Sequence, residues 1–284
     1  MPELPEVEVL VRHLAPLLQN KTVHRVHVRR AKVLAPTSVR TFSSTLNEAR
    51  FTELQRRGKY LLFTLRKAGT SAPFTLVGHL GMTGRMYLLP EGAQVPKHAA
   101  VVFELGRQNF VFEDTRYFGR LTLDRTAIDK LGPEPLMDQF TSSGLAEKLD
   151  RSESPIKVKL LDQSLVAGIG NIYASEALFR AGISPFRPAC RLKAGEADRL
   201  WKSIREVLTE AIDCGSTVPL DYSGTGKRDG LFYFGRAPGT PDFYEERLRV
   251  YDRADHPCIR CGTAIKRRVQ AARSTYYCPK CQRR

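Results

Sequence analysis

Four cysteines near the C-terminus constrain the fold of this chain more than any other feature. They form two Cys-x-x-Cys pairs, Cys258 with Cys261 and Cys278 with Cys281, and 16 residues separate the pairs. Two such pairs on two turns can bring four thiolates together in a tetrahedron around one zinc ion. Because four sulfurs leave no coordination position for water, we expect the ion to be structural. The spacing therefore predicts a zinc finger at the end of the chain.

The charge of the chain predicts a polyanionic partner. Among 284 residues, 45 are Lys or Arg and 30 are Asp or Glu, which gives a net charge of +15. Nucleic acid and an anionic membrane both suit such a charge. The last 29 residues contain eight Lys and Arg and no acidic residue, an excess over the thiolates that favours contact with phosphates. With no apolar run near the roughly 18 residues of a spanning helix and no secretion signal, we expect a soluble cytoplasmic protein.

The N-terminus offers a nucleophile. Removal of Met1, which is usual before a small residue, exposes the secondary amine of Pro2. An α-amino group has a pKa of about 7.7 to 8.0, so a useful fraction is unprotonated in the cell and can attack an electrophilic carbon. Glu3 and Glu6 follow as candidates for proton transfer. The same residues also suit the first turn of a helix that has no chemical role.

Hydrophobic patterning predicts two domains of different class. Residues 5–18 have helical spacing, and short strand-like runs broken by glycine extend from Thr22 to about Leu123. The segment 132–136 continues neither pattern and is interpreted as a linker. Beyond it, two helices are expected on either side of a glycine turn, with Asn171 capping the second, and a further helix is expected over 195–213.

Three motifs, far apart and in this order, carry a family resemblance. They are PELPE at residues 2–6, GIGNIYASE at 168–176 and the basic four-cysteine segment. Together they resemble the bacterial formamidopyrimidine-DNA glycosylases, of the formamidopyrimidine-DNA glycosylase / endonuclease VIII family, over essentially the whole chain. The resemblance implies an α+β fold: a β-sandwich with a leading helix over 1–131, a helix-two-turns-helix domain over 137–245 and the zinc finger over 246–284. It also implies that the protein binds damaged double-stranded DNA as a monomer, without a membrane and without an organic cofactor.

The chemistry implied by the resemblance is base release followed by strand cleavage. The substrate would be duplex DNA that carries 8-oxoguanine or a ring-opened formamidopyrimidine. Pro2 would attack C1′ of the damaged nucleoside, and Glu3 would protonate the opening sugar, which leaves an iminium between enzyme and DNA. That iminium would drive β-elimination and δ-elimination of the two flanking phosphates.

Further site residues follow from the same resemblance. Lys59 would hold a phosphate and assist β-elimination, Glu6 would orient the sugar region, and Arg273 would grip phosphates and assist the second elimination. Other backbone contacts match His79, His98, Lys157 and Asn171. Because a stacked base must be extruded before reaction, three side chains would fill the gap that it leaves: Met82, Arg116 and Phe118.

Two departures and two alternatives accompany this interpretation. The family commonly has a second arginine where Tyr117 stands and often a basic residue where Glu153 stands, so the grip on phosphate is expected to be weaker there. The loop from Ser216 to Tyr233 aligns poorly with the lesion-capping loop. One alternative is an endonuclease VIII-like glycosylase for oxidised pyrimidines, and the other is a zinc-ribbon DNA-binding protein without catalysis.

Overall fold

The computed structural model describes residues 2–69, 72–215 and 247–283, which form two compact units. The first unit comprises Pro2 and Glu6–Asp129. The second comprises Glu3–Pro5, 130–215 and 247–283. The division after Asp129 falls close to the predicted end of the first domain, although the bounds given for the four predicted segments stay a prediction. The loop from Ser216 to Tyr233 lies outside the described residues.

The leading helix, α1, spans Leu4–Leu18, which confirms the helix predicted over 5–18. Its apolar positions recur every three or four residues, and Val7, Leu10, Leu14 and Leu18 are all buried. This spacing places them on one face, which packs into the core of the first unit. The helix thereby fixes the backbone that immediately follows Pro2 and Glu3.

The described part of the first unit contains two four-stranded sheets in the orders β1-β6-β7-β5 and β2-β3-β4-β8, with every pair antiparallel. Their bounds are Arg25–Val28 (β1), Ala49–Arg57 (β2), Tyr60–Lys67 (β3), Phe74–His79 (β4), Gly84–Pro90 (β5), Ala99–Glu104 (β6), Gln108–Asp114 (β7) and Arg120–Thr122 (β8). Phenylalanines from both sheets meet between them: the ring of Phe110 lies 6.2 Å from that of Phe51 and 5.7 Å from that of Phe63. The predicted β-sandwich is therefore confirmed.

One element of the first unit was not predicted. Helix α2, Val39–Leu46, lies in a segment that was expected to be all β. Ser38 caps it by accepting a hydrogen bond from the backbone N–H of Thr41, and Phe42 and Leu46 bury one face. Its eight residues are too short to display the periodicity that distinguishes a helix from a strand with certainty.

The second unit is helical and ends in a β-hairpin. The remaining α-helices in the described residues are Thr126–Asp129 (α3, in the first unit), Ser142–Asp150 (α4), Ile156–Leu160 (α5), Asn171–Ala181 (α6) and Ala194–Asp213 (α7). The hairpin consists of Lys266–Gln270 (β9) and Arg273–Tyr277 (β10). Helices α5 and α6 flank the glycine turn as predicted, and α7 confirms the helix expected over 195–213. No helix in the described residues is long and apolar enough to cross a membrane.

The prediction that Asn171 caps the second helix of this pair is wrong. The residue at the cap position of α6 is Gly170, and Asn171 is already the first helical residue. A glycine has no side chain that can accept hydrogen bonds from the free N–H groups at a helix start. Those groups are instead bound by a residue far away in the sequence.

Candidate active site

The carboxylate of Glu3 is bound at the N-terminus of α6. Its Oε2 accepts hydrogen bonds from the backbone N–H of Gly170 at 2.7 Å and of Tyr173 at 3.4 Å, and its Oε1 accepts one from Ile172 at 2.9 Å. Glu3 is 1% exposed. A helix N-terminus carries free donors and partial positive charge, so it stabilises a buried carboxylate. Glu3 is thus held in one position by the helix that follows the glycine turn.

Gly170 is required for this approach. A Cβ at this position would lie 2.7 Å from Glu3 Oε2 and closer still to its Cδ. The φ of Gly170 is −129°, a value that other residues adopt without strain. Glycine is therefore needed here for space rather than for backbone conformation.

A buried lysine joins α6 to the C-terminal hairpin. Lys157 is 1% exposed, and its Nζ donates to Asn171 Oδ1 at 2.6 Å, to Ser274 O at 2.9 Å and to Thr275 Oγ1 at 2.8 Å. Asn171 Nδ2 also donates to Ser274 O at 3.0 Å. Burial lowers the pKa of Lys157 to about 8, with a further lowering by Arg273 that the nearby Glu3 opposes. These contacts position the hairpin, while a direct contact of Lys157 with DNA stays a prediction.

Two more contacts hold the finger to α6. The carboxylate of Glu176, 2% exposed, accepts hydrogen bonds from the backbone N–H groups of Arg249, Val250 and Tyr251. At the C-terminal end of α6, the guanidinium of Arg260 donates to the carbonyls of Phe179 and Arg180, each at 3.1 Å. Cations at a helix C-terminus satisfy free carbonyls and oppose the helix dipole. Helix α6 is therefore bound by the carboxylate of Glu3 at its start and by the guanidinium of Arg260 at its end.

The four cysteines converge as the spacing predicts. The sulfurs of Cys258 and Cys281 lie 3.9 Å apart, those of Cys261 and Cys278 lie 3.5 Å apart, and all four are within 4.8 Å of one another. A tetrahedron with metal–sulfur bonds of about 2.3 Å has edges of about 3.8 Å. The donor set and its spacing therefore fit one structural metal ion.

In the first unit, Lys59 precedes β3, and His79 is the last residue of the neighbouring strand β4. Tyr60 and His79 are register partners on β3 and β4, and their rings lie 4.7 Å apart. Burial and, to a smaller extent, the cations Lys59 and Arg120 together lower the pKa of His79 to about 4. His79 Nδ1 accepts a hydrogen bond from the N–H of Gly81, which requires the neutral ring. Lys59 is 8% exposed at the turn that precedes β3.

Three predicted side chains meet at the surface of the first unit, and we call this cluster the wedge: Met82, Arg116 and Phe118. Met82 is 43% exposed and Phe118 is 49% exposed, which is unusual for large apolar side chains. The guanidinium of Arg116 lies 4.7 Å from the ring centre of Phe118 and 3.3 Å from the sulfur of Met82. The two loops that carry them touch at Gly81, where a Cβ would lie 2.6 Å from the N of Gly119.

The remaining predicted residues are placed as follows. Pro2 is half-buried, and Glu6 is buried in α1 with 1% exposure. Arg273 is exposed at the start of β10. His98 is half-buried, with its Nδ1 3.5 Å from the hydroxyl of Tyr117. The structure thus groups these residues within each unit, and their roles stay predictions.

Known families match three segments of the chain. The N-terminal domain of formamidopyrimidine-DNA glycosylases matches residues 1–121, their H2TH domain matches residues 131–221, and a zinc finger found in FPG and IleRS matches residues 255–284. The chain belongs to the formamidopyrimidine-DNA glycosylase family. Members are DNA glycosylases of base excision repair with a characteristic lyase activity, and this chain is one of them.

Individual relatives match over the full length. A formamidopyrimidine-DNA glycosylase of Carboxydothermus hydrogenoformans is 40% identical over 283 residues, which cover 100% of both chains. The crystal structure of the Thermus thermophilus protein has a TM-score of 0.81 at 40% identity and covers 99% of this chain and 98% of that one. A Lactococcus lactis variant, in complex with a Fapy-dG containing DNA, has a TM-score of 0.87 at 31% identity and full coverage of both chains.

Sequence analysis missed Asp114, which shapes the wedge. This residue is fully buried, and its Oδ1 accepts hydrogen bonds from Thr83 Oγ1 at 2.6 Å and from the N–H of Arg116 at 3.1 Å. Its Oδ2 accepts one from the N–H of Gly119 at 2.7 Å. An Asp that begins a turn and binds the N–H two residues later is a known turn signal, and this could have identified it.

Proposed function

We propose that the chain removes oxidised purines, 8-oxoguanine and formamidopyrimidines, from double-stranded DNA through a Schiff base on Pro2, and then cleaves the strand. The observation that carries the proposal is the fixed carboxylate of Glu3, directly after the terminal amine and held by three N–H groups of the α6 start. These three bonds fix both oxygens of the carboxyl group. They support a carboxyl group that must occupy one position relative to a reacting sugar.

The first stage is base release. The lone pair of the Pro2 nitrogen forms a bond to C1′, and the bond from C1′ to the damaged base breaks, with the electron pair leaving on the base. The alkylated Pro2 nitrogen gives up its N–H proton, which neutralises the departing base, and so regains a lone pair. Glu3 supplies a proton to the ring oxygen as the bond from C1′ to that oxygen breaks, and the nitrogen lone pair then forms the iminium. An amine with a pKa near neutrality suits this step because it is nucleophilic without a separate base.

The second stage is strand cleavage. The iminium draws electrons from C2′, so a proton is lost there and the 3′ phosphate leaves as the first elimination. Loss of a second proton expels the 5′ phosphate. Lys59 and Arg273 are the cations that we assign to phosphates in these two steps, and Glu6 is assigned to the sugar region.

Binding of the duplex is assigned to the wedge and to several polar side chains. Met82 and Phe118 fill the space of the extruded nucleotide, because inserted apolar side chains offset the cost of unstacking. Arg116 donates to the acceptors of the orphaned partner base. Backbone contacts are assigned to His79, His98 and Asn171, with Lys157 holding Asn171 and the hairpin in place.

The metal of the four-cysteine site is assigned as zinc. Four thiolates in a tetrahedral arrangement are typical of structural zinc, and the ion fixes the hairpin that carries Arg273. Since the substrate is chromosomal, we place the protein in the bacterial cytoplasm, at the nucleoid, as a monomer.

One experiment tests substrate, chemistry and nucleophile together. The protein is incubated with an 8-oxoguanine duplex and borohydride, and the cross-link is mapped by mass spectrometry. We expect a reduced adduct on Pro2, and none when Met1 is retained. An adduct on an internal lysine would refute the assignment of the nucleophile, and a non-catalytic DNA-binding protein would give no adduct. Faster cleavage of a dihydrouracil duplex than of the 8-oxoguanine duplex would favour the endonuclease VIII-like alternative.

A further inference from the structure

A further aromatic side chain, that of Tyr117, lies next to the wedge and contacts a cation to which no role has yet been assigned. Tyr117 stands between Arg116 and Phe118 in the sequence. The guanidinium of Arg30 lies 5.3 Å from the centre of the Tyr117 ring, on its face. On the hydroxyl side of the ring, Tyr117 meets Nδ1 of His98 at 3.5 Å. Arg30, Tyr117 and His98 therefore form one cluster in the first unit, and we call it the Arg30 stack.

The backbone on both sides of the Arg30 stack is fixed. Tyr117 has a φ of +53°, a left-handed conformation that residues other than glycine adopt only where the surroundings impose it. Asp114 imposes it, through its hydrogen bonds to the N–H groups of Arg116 and Gly119. The N–H groups of Arg29 and Arg30 both donate to the carbonyl of Ala100, at 2.9 and 3.1 Å. The backbones that carry the cation and the ring are thus held by two neighbouring strands, β6 and β7.

The charge of Arg30 has no carboxylate to balance it within the described residues. Its Nη1 lies 3.4 Å from the carbonyl of Arg29, and the side chain is exposed. A guanidinium over the face of an aromatic ring gives no N–H group to a carboxylate, so its planar fork of donors can fit the two oxygens of a phosphate. Held orientation, exposure and unbalanced charge together indicate an anion site rather than a packing contact.

We propose that the Arg30 stack binds a phosphodiester of the DNA backbone next to the wedge, with Arg30 as the main donor. This rests on the proposed function, since the anion is a phosphate of the substrate duplex. Tyr117 acts as the platform that orients Arg30. In this way a tyrosine can replace the arginine that the family commonly has at this position, because it orients an arginine from another segment of the chain.

The neighbouring arginine provides a matched control. Arg30 has an extended backbone, with φ −139° and ψ 93°, so successive side chains point to opposite sides. Arg29 accordingly turns away and donates to the carbonyl of Pro96 at 3.2 Å. Arg29→Ala and Arg30→Ala remove the same charge from adjacent positions, and only the second removes it from the Arg30 stack.

The test measures affinity for a duplex that contains a tetrahydrofuran abasic analogue, over a range of salt concentrations. Wild-type protein that neutralises about six phosphates should give a log-log slope of roughly −5. We expect Arg30→Ala to reduce that slope by about 0.9 and the affinity by about tenfold, and Arg29→Ala to leave the slope unchanged. Arg30→Lys should keep the slope and Tyr117→Phe should keep both quantities, while Tyr117→Leu should lower affinity with little change of slope.

A second arm identifies the phosphate. Uncharged methylphosphonates replace the phosphates around the lesion one at a time, on both strands. At one position, the substitution should weaken binding by wild-type protein about tenfold. The same substitution should not weaken binding by the Arg30→Ala variant any further. Equal slopes for Arg29→Ala and Arg30→Ala would overturn the Arg30 stack as a phosphate site, and so would the absence of any position that behaves in this way. If the affinity of wild-type protein still fell steeply with salt, the proposed function would stand. A flat wild-type slope would instead contradict the proposed function itself.

Discussion

Substitution of Gly170 by alanine tests whether the position of Glu3 controls base release. The added Cβ would lie 2.7 Å from Glu3 Oε2 and closer still to Cδ and Oε1, whereas ordinary contact begins at 3.4 Å, so the carboxylate must retreat by about 1 Å. That retreat stretches the hydrogen bonds from Gly170 and Ile172, now 2.7 and 2.9 Å. Charge-assisted bonds contribute about 1.5–3 kcal/mol each, so roughly 3–6 kcal/mol of positioning is at stake.

The assay is single-turnover excision from an 8-oxoguanine duplex, with thermal unfolding in parallel. A misplacement of nearly 1 Å costs on the order of 10²-fold in rate, and we expect Gly170→Ala to lose at least that much. Cleavage at an aldehydic abasic site should suffer less, because the sugar there is already open and needs no proton from Glu3. This second substrate separates misplacement of one carboxylate from general unfolding.

Gly195→Ala is the matched control. Gly195 lies near the start of α7, and a Cβ there would meet nothing within 4 Å. Alanine is favoured over glycine in helices by up to about 1 kcal/mol, so this variant should be as active and at least as stable as wild type. If Gly170→Ala keeps both the excision rate and the unfolding temperature of wild type, the carboxylate is not held as we describe and the reasoning fails.

Three further predictions follow from other contacts. Asp114→Asn should release the wedge loop, because an amide cannot accept hydrogen bonds from all three donors, and should lower the affinity for a lesion duplex about tenfold with the fold intact. Unchanged affinity would exclude this role. His79, with its pKa of about 4, should stay neutral by NMR between pH 8 and 5, and ordinary titration near pH 6.5 would contradict this prediction. Because histidine in the unfolded chain binds a proton below about pH 6.5, the contribution of His79 to the free energy of unfolding should fall by about 3 kcal/mol as the pH falls to 4. Cys258→Ser should reduce zinc content below one ion per chain and weaken DNA binding, and a fully active protein without metal would refute the structural role.

Features set by local spacing could be predicted from the sequence. The metal site needs only two short Cys pairs that each fold into a turn, and α1 and α7 are long enough for their apolar faces to show. Helix α2 could not be predicted in the same way, because eight residues that end in a strand-rich region give too weak a pattern.

The assembly of the site depends on contacts between distant residues. Glu3 and the N–H of Gly170 are 167 residues apart, and nothing in either segment indicates the other. The same holds for Arg30 and Tyr117, and for Lys157 and the hairpin residue Thr275, which are 118 residues apart. Family resemblance could supply the types of residue in the site, but not the bonds that hold them.

Helix α6 links the metal to the catalytic end of the chain. It has 11 residues, so it is roughly 16 Å long, with Glu3 bound at one tip and Arg260 of the Cys258–Cys261 knuckle bound at the other. Oxidants that damage guanine also attack exposed thiolates, and ligation to metal keeps these four from that fate. Loss of the ion would release the C-terminus of α6 from Arg260, and α6 also binds Glu3 at its N-terminus. Oxidation of the cysteines would therefore impair the repair reaction in the cells that most need it, unless the metal stayed bound.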